Sequence, residues 1–264
     1  MDGNGNRGGR GGFFDPTRRF KGRAELYARH RPGYPDAVVT LLEGECGLAP
    51  GAVVADVGSG TGILAALLLA RGCRVFGVEP NAEMRAEGER ALASYAEFVS
   101  VDGRAEATTL PGASVGFVTA AQAFHWFDLP RARTEFARIL RSGGWVVLLW
   151  NLRRKDADPF AVAYERLLLE YATDYERVDH ANLTDAVIAE FFSPARFAVR
   201  VFPNRQVFDY EALEGRLLSS SYAPAAGHPN HAPMLAALRA AFDRHNEGGT
   251  VAFAYDTQVY FGRL

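Results

Sequence analysis

The stretch Val53-Val54-Ala55-Asp56-Val57-Gly58-Ser59-Gly60-Thr61-Gly62 decides the fold. Val53–Val57 is short, apolar and rich in β-branched residues. It lies between Pro50-Gly51 and a cluster of three glycines. An apolar run without alternation reads as a strand buried on both faces, as parallel strands are. Ile63–Arg71 follows as an apolar helical segment and stops at Gly72. The unit is therefore strand, glycine turn, helix. Glycines in such a turn let the backbone bend tightly and approach a ligand without side-chain clash. The turn also sits beyond the carboxyl end of its strand, where open α/β sheets bind their ligands.

Outward from this unit the alternation continues. Arg74–Val78, Glu97–Val101, Ser114–Ala120 and Trp145–Trp150 read as strands, with Ala82–Ala93 and Arg131–Leu140 as helices between them. Strands alternating with helices imply right-handed crossovers and an open, mostly parallel sheet. Upstream, Phe20–Arg31 reads as a helix broken by Arg31-Pro32-Gly33-Tyr34-Pro35, and Asp36–Cys46 as a second helix. Downstream the rhythm changes. Pro159–Tyr175 and Thr184–Phe192 read as helices, Phe197–Phe208 as a strand interrupted at Pro203-Asn204, and Glu211–Ser221 and Pro233–His245 as helices. Val251–Phe261 alternates and closes the chain as an antiparallel strand. The expectation is an α/β, Rossmann-like, doubly wound sheet of seven strands, mostly parallel, with an antiparallel C-terminal strand. Residues 1–19 are expected to be a disordered Gly/Arg-rich tail and 20–264 a single domain. That domain has an N-terminal lid region at 20–46 and a helical insertion after the fifth strand, at about 152–195.

The glycines are spaced Gly-x-Gly-x-Gly rather than the Gly-x-Gly-x-x-Gly of a dinucleotide pyrophosphate site, and no Gly-Lys-Ser/Thr follows. A dinucleotide oxidoreductase and a P-loop are thereby disfavoured. Glu79 ends the next strand, about twenty residues on, where a carboxylate accepts hydrogen bonds from ribose hydroxyls. A nucleoside-bearing ligand satisfies both features.

With Ala55–Gly62, Val78-Glu79-Pro80, Met84, Gly103-Arg104-Ala105-Glu106 and Leu140-Arg141-Ser142-Gly143-Gly144-Trp145, the chain resembles the class I S-adenosylmethionine-dependent methyltransferases. Tyr27–Pro35 and Gln122-Ala123-Phe124-His125-Trp126-Phe127 look like the subgroup that includes trans-aconitate methyltransferase-like (type 11) proteins. The resemblance implies S-adenosyl-L-methionine as cofactor. It also implies that Gly58, Ser59, Gly60 and Gly62 line the methionine and ribose side, with Asp56 anchoring the loop. Glu79 would hold the ribose, and Pro80, Met84, Arg104 and Ala105 would frame the adenine. Gln122 and Ala123 would sit near the methionine amino group or the sulfonium, while Tyr27 and Arg31 close the site. The family often carries an acidic residue where this chain has Gly116, a departure expected to affect stability more than activity.

Methyl transfer from a sulfonium is an in-line displacement, so the protein mainly aligns the acceptor and excludes water. A carboxylate acceptor needs cationic positioning and no base; Arg153 is the candidate. A protonated acceptor would make His125 the candidate general base. Trp126 and Trp150 are candidates for an apolar acceptor wall. The leading expectation is O-methylation of a small-molecule carboxylate. N-, C- or O-methylation of an aromatic or secondary metabolite, and a non-catalytic nucleoside-binding protein, are the alternatives.

Composition accords with this. Among 264 residues the formal net charge is −2, which gives no global basic field for nucleic acid. No apolar run approaches the ~20 residues of a membrane span, and no apolar N-terminal segment marks a secretory signal. The two cysteines, Cys46 and Cys73, lack metal-site spacing and fit a reducing, cytoplasmic compartment. A monomer or homodimer without metal, nucleic acid or membrane partner is expected.

Overall fold

The computed structural model describes residues 22–175 and 184–264. The expected tail therefore lies outside the described residues, as do Phe20 and residues 176–183. Helices α1 (Ala24–His30) and α2 (Asp36–Cys46) precede β1 (Val53–Val57), α3 (Ile63–Leu69), β2 (Arg74–Val78), α4 (Ala82–Ala91) and β3 (Phe98–Val101). Next come β4 (Val115–Ala121), a single 3-10 turn (Phe124–Trp126), α5 (Leu129–Ile139) and β5 (Leu140–Arg153). The chain closes with α6 (Pro159–Tyr171), α7 (Asp185–Phe192), β6 (Phe197–Phe208), α8 (Tyr210–Leu218), α9 (His231–His245) and β7 (Val251–Gly262).

The seven strands form one sheet in the order β3-β2-β1-β4-β5-β7-β6. Strands β1 to β5 pair in parallel. Strand β7 runs antiparallel between β5 and β6. The order reverses between β1 and β4, the switch point at which such sheets open a ligand crevice.

Local chemistry explains the boundaries. The Asn81 side chain caps α4 by accepting the Glu83 and Met84 N–H groups, and Asp128 caps α5 by accepting from Arg131. Gly47 ends α2 at φ 71°. Two apolar layers sandwich the sheet. Val38, Leu42, Leu64 and Leu68 cover one face. Phe124, Phe136, Trp150, Phe191 and Phe192 cover the other. Each fully buried side chain of this size contributes roughly 1.5–3 kcal/mol. A third cluster, with Phe160, Tyr164, Leu213, Leu217 and Phe253, joins α6, α8 and α9 to the β7 end of the sheet.

Several boundaries differ from expectation. Strand β5 extends to Arg153 because its far half pairs with β7 from Val146 to Arg153. Strand β6 passes through Pro203-Asn204 unbroken. It is an edge strand, and the missing proline N–H costs no ladder bond there. Helix α1 is shorter than Phe20–Arg31, and α6 stops at Tyr171 rather than Tyr175. Both cysteines are buried free thiols, and burial pushes Cys46 up to about 12 and Cys73 upward, so neither is a nucleophile at neutral pH.

Candidate active site

A cavity of about 310 Å³ opens over the carboxyl ends of β1, β2 and β4. Gly58, Gly60, Glu79, Pro80, Met84, Arg104, Ala105, Gln122, Ala123 and Tyr27 all line it, so most of the residues picked out from sequence come together here. Trp126 also faces this cavity.

The glycine loop is shaped by two requirements. Gly58, Gly60 and Gly62 all have positive φ, at 70°, 56° and 82°. A Cβ on Gly58 would stand 2.5 Å from the Ala123 Cβ. The loop is then fixed from both sides. The Gly58 N–H donates to the Val78 carbonyl at 2.8 Å. The Glu79 Oε2 accepts the Gly60 N–H at 2.9 Å, and its Oε1 accepts the Asn81 N–H at 2.9 Å. Burial raises the Glu79 carboxyl above its ordinary range, and the N–H groups of Asn81 and Gly60 oppose that rise. A carboxylate offers about four acceptor positions, so two remain for hydroxyl donors in the cavity.

Three of the expected loop residues lie behind the wall. Asp56 is 1% exposed and accepts the Thr119 hydroxyl at 2.8 Å, which ties β1 to β4 under the loop. Burial pushes its carboxyl up to about 7. Ser59 turns toward β2, its Oγ lying 3.1 Å from where a Gly77 Cβ would be. Gly62 packs on α4, where a Cβ would meet Leu92 at 2.6 Å. Ser59 and Gly62 thus shape the turn from outside the cavity.

The Arg104–Glu106 side of the cavity is held by a carboxylate hub that sequence reasoning missed. Glu135 on α5 accepts the Thr108 N–H at 2.8 Å and the Thr108 hydroxyl at 2.5 Å. It also pairs with Arg138 at 2.7 Å. Arg138 and Thr108 hold this carboxyl down to about 2 against the effect of burial. Glu106 accepts the Asp128 N–H at 2.8 Å. Together these bonds clamp the Arg104–Glu106 segment onto α5, and Glu106, Phe127, Asp128 and Arg131 complete the wall.

A second cavity, of about 650 Å³, meets the first at Tyr27 and Gln122, which line both. Gln122 holds φ 57° at the end of β4. Such a conformation is unusual for a residue with a Cβ, and strained backbone of this kind clusters at functional sites. The second cavity carries Arg31, Arg153, Lys155 and Arg216, together with Tyr175, Tyr222, Tyr255 and Tyr260. Arg153 pairs with Glu165, and Lys155 reaches the same carboxylate at 3.2 Å.

The structure moves four expectations. Trp126, expected in the acceptor wall, lines the first cavity and not the second. Arg31 lines the second cavity and not the first. Trp150 lines neither: it is 3% exposed and packs edge-on against Phe124 and Tyr260 in the core. His125 also lines neither cavity; the 3-10 turn directs its neighbour Trp126 inward instead, and the two rings lie 4.7 Å apart. Arg216 and Tyr255 had no sequence signal, since α8 and β7 bring them in from far along the chain.

Among the described residues no group of three or more His, Cys, Asp or Glu side chains is placed to hold a metal, and no helix is long and apolar enough to cross a membrane.

Comparison with known proteins agrees with this geometry. Residues 55–148 match the family described as a methyltransferase domain. An uncharacterized methyltransferase of Geobacillus thermodenitrificans is 31% identical over 186 residues, covering 68% of this chain and 82% of the relative. One of Mycobacterium tuberculosis is 38% identical over 141 residues, and the chain spans about half of that relative's length, 54%. Among solved structures, a protein of Anaeromyxobacter dehalogenans assigned by inference as a type II methyltransferase superposes with a TM-score of 0.65 at 27% identity. It covers 88% of this chain and 97% of its own. The glycine cradle, the Glu79 carboxylate and the apolar residues Pro80, Met84 and Ala105 fit S-adenosylmethionine in the first cavity. The chain belongs to the class I S-adenosylmethionine-dependent methyltransferase family.

Proposed function

We propose that this protein transfers a methyl group from S-adenosylmethionine to an anionic small molecule, and that the reaction is O-methylation of a carboxylate. The observation that carries the reading is the junction of two cavities at Tyr27 and Gln122, one built around Gly58 and Glu79, the other around Arg31, Arg153 and Arg216. When bound, the cofactor supplies a methyl group already activated on a sulfonium. Glu79 would hold its ribose, Gly58 and Gly60 would admit it close to backbone, and Pro80, Met84 and Ala105 would take the adenine. The Arg153 guanidinium would orient the acceptor carboxylate, and a carboxylate nucleophile carries no proton to remove. Tyr27 and Gln122 border both compartments, so they are placed to exclude water where donor and acceptor meet.

The subgroup reading, trans-aconitate methyltransferase-like, and a cytoplasmic setting belong to the same proposal. The test uses methyl-labelled cofactor with a metabolite extract. A carboxylate ester releases volatile labelled methanol in alkali. Label that stays in alkali would transfer the reading to N-, C- or ether O-methylation. Failure to bind S-adenosylhomocysteine, on folded protein, would overturn it.

A further inference from the structure

The second cavity holds more positive charge than one carboxylate can use. Arg31, Arg153, Lys155 and Arg216 face it, against Asp185 in the wall and the Glu165 carboxylate shared by Arg153 and Lys155. Among the described residues an excess of two positive charges remains. Arg31 and Arg216 carry that excess: among the described residues neither forms a salt bridge. Arg216 is 7% exposed, and its guanidinium donates to the Ser220 hydroxyl at 3.0 Å. Arg31 donates to the Ser219 carbonyl at 3.2 Å. The Nε atoms of both are buried without a hydrogen-bond partner, as is the hydroxyl of Tyr164, while the Tyr255 hydroxyl lies beside the Arg216 guanidinium. Guanidinium groups held in the interior without a carboxylate partner among the described residues carry a desolvation cost that an anion in the cavity offsets.

The pair is also held in place. The Gly33 carbonyl accepts from Asn151 at 3.1 Å and Asn204 at 2.9 Å, and the His30 carbonyl accepts from Gln206 at 2.9 Å. These strand side chains pin the backbone on either side of Arg31. Arg23 donates to the carbonyls of Leu218 and Ala223. A Cβ on Gly215 would stand 2.4 Å from the His30 ring. Helix α1 is therefore fastened on α8, which carries Arg216.

We propose that Arg31 and Arg216 form an anchoring site for a second anionic group of the acceptor, one that is not methylated, so that the enzyme selects dianionic small molecules. The proposal rests on the methyl-transfer reading above. The methylated carboxylate lies toward Tyr27 and Gln122, and the anchored group, a carboxylate or a phosphate, lies toward α8. Bidentate, charge-assisted hydrogen bonds from two guanidiniums give both the affinity and the register that presents the other end to the donor.

The test is calorimetry on the full chain saturated with S-adenosylhomocysteine. The probes are succinate against butyrate, and phosphoglycolate against glycolate. At least one probe with two anionic groups is expected to bind tenfold or more tightly than its counterpart with one, and the stronger pair identifies the anchored group. Arg216→Gln should abolish that difference while S-adenosylhomocysteine affinity holds. Should Arg216→Gln fail to fold, Arg31→Gln carries the same expectation. Equal binding of both members of each pair, or a preference that survives the substitution, would overturn the anchor. Loss of S-adenosylhomocysteine binding by the wild type would instead overturn the methyl-transfer reading, so the two failures are distinct.

Discussion

The Glu79 carboxylate accepts the Gly60 N–H at 2.9 Å, so the residue proposed to hold the ribose also sets the height of the glycine loop that would receive the rest of the nucleoside. One side chain then serves recognition and preorganisation together. Glu79→Ala should weaken S-adenosylhomocysteine binding by about tenfold to a hundredfold, the effect of losing charge-assisted hydrogen bonds of roughly 1.5–3 kcal/mol. Glu79→Gln, which can still accept from Gly60, should recover part of that loss. Calorimetry checks both, and an unchanged dissociation constant for Glu79→Ala would remove Glu79 from the site.

Gly58 is constrained twice, by φ 70° and by the 2.5 Å approach a Cβ would make to Ala123. Gly58→Ala must shift the β4 exit or the loop, and either movement reshapes the cavity proposed to hold the cofactor. The expected outcome is cofactor binding reduced more than tenfold, with a melting temperature lowered only modestly. Gly116→Ala is the contrasting case. Its Cβ would meet only the Val53 carbonyl, at 3.8 Å, and no positive φ stands in the way. It should raise stability by about 0.4–1 kcal/mol by narrowing the unfolded ensemble, readable as a higher melting temperature.

How much of this was legible in the sequence follows from range. Gly58, Gly60 and Glu79 announce themselves because the loop and the next strand end are local features with fixed spacing. Arg216 does not: it sits in Glu214-Gly215-Arg216-Leu217 on an ordinary amphipathic helix, and only the docking of α8 on α1 turns it toward the Arg31 side. Trp150 misled in the opposite sense. An aromatic at the end of a central strand serves a pocket or a core equally well by pattern, and the packing of Phe124 and Tyr260 around it makes it core. Strand β5 was read too short because its last residues are strand only by virtue of pairing with β7, more than a hundred residues away.

Glu135 holds the segment that follows Arg104 through Thr108, whose N–H and hydroxyl are both buried. Glu135→Ala leaves that buried N–H without its acceptor and should cost about 1.5–3 kcal/mol. The wild-type carboxyl is depressed to about 2. Its contribution is therefore complete above the unfolded value near 4.5 and disappears as pH falls toward 2. Denaturant melts between pH 2 and 6 should show that acid-side slope in the wild type and a shallower one in the variant.

Asp56 gives the opposite sign. Burial raises it to about 7 in the folded chain, above its unfolded value. The folded state binds the proton more tightly, so stability is greatest below the unfolded pKa near 3.8 and declines as pH rises through 7. Asp56→Asn keeps an acceptor for the Thr119 hydroxyl and removes the titration. The wild type should lose stability relative to this variant as pH rises from 4 to 7, so that the gap between the two curves changes steadily over that range. Parallel curves for the two proteins would show that Asp56 titrates normally.

His125 is the residue whose role the fold revises most. A general base must come within about 2.6–3.2 Å of the proton it takes, directly or through one water. His125 borders neither cavity, and its ring packs against Trp126 at 4.7 Å. Trp126 lines the cofactor cavity, so the effect of His125→Ala should pass through that ring contact, which is worth about 0.5–1.5 kcal/mol. A small loss of stability and a few-fold weaker cofactor binding are expected, with turnover at saturating cofactor within about threefold of wild type. A carboxylate acceptor makes the same demand, because it needs no base. Single-turnover rates with saturating labelled cofactor decide the matter. A fall of 10²–10⁴ with cofactor affinity intact, not restored by His125→Asn, would return His125 to the chemistry and make the acceptor a protonated group rather than a carboxylate.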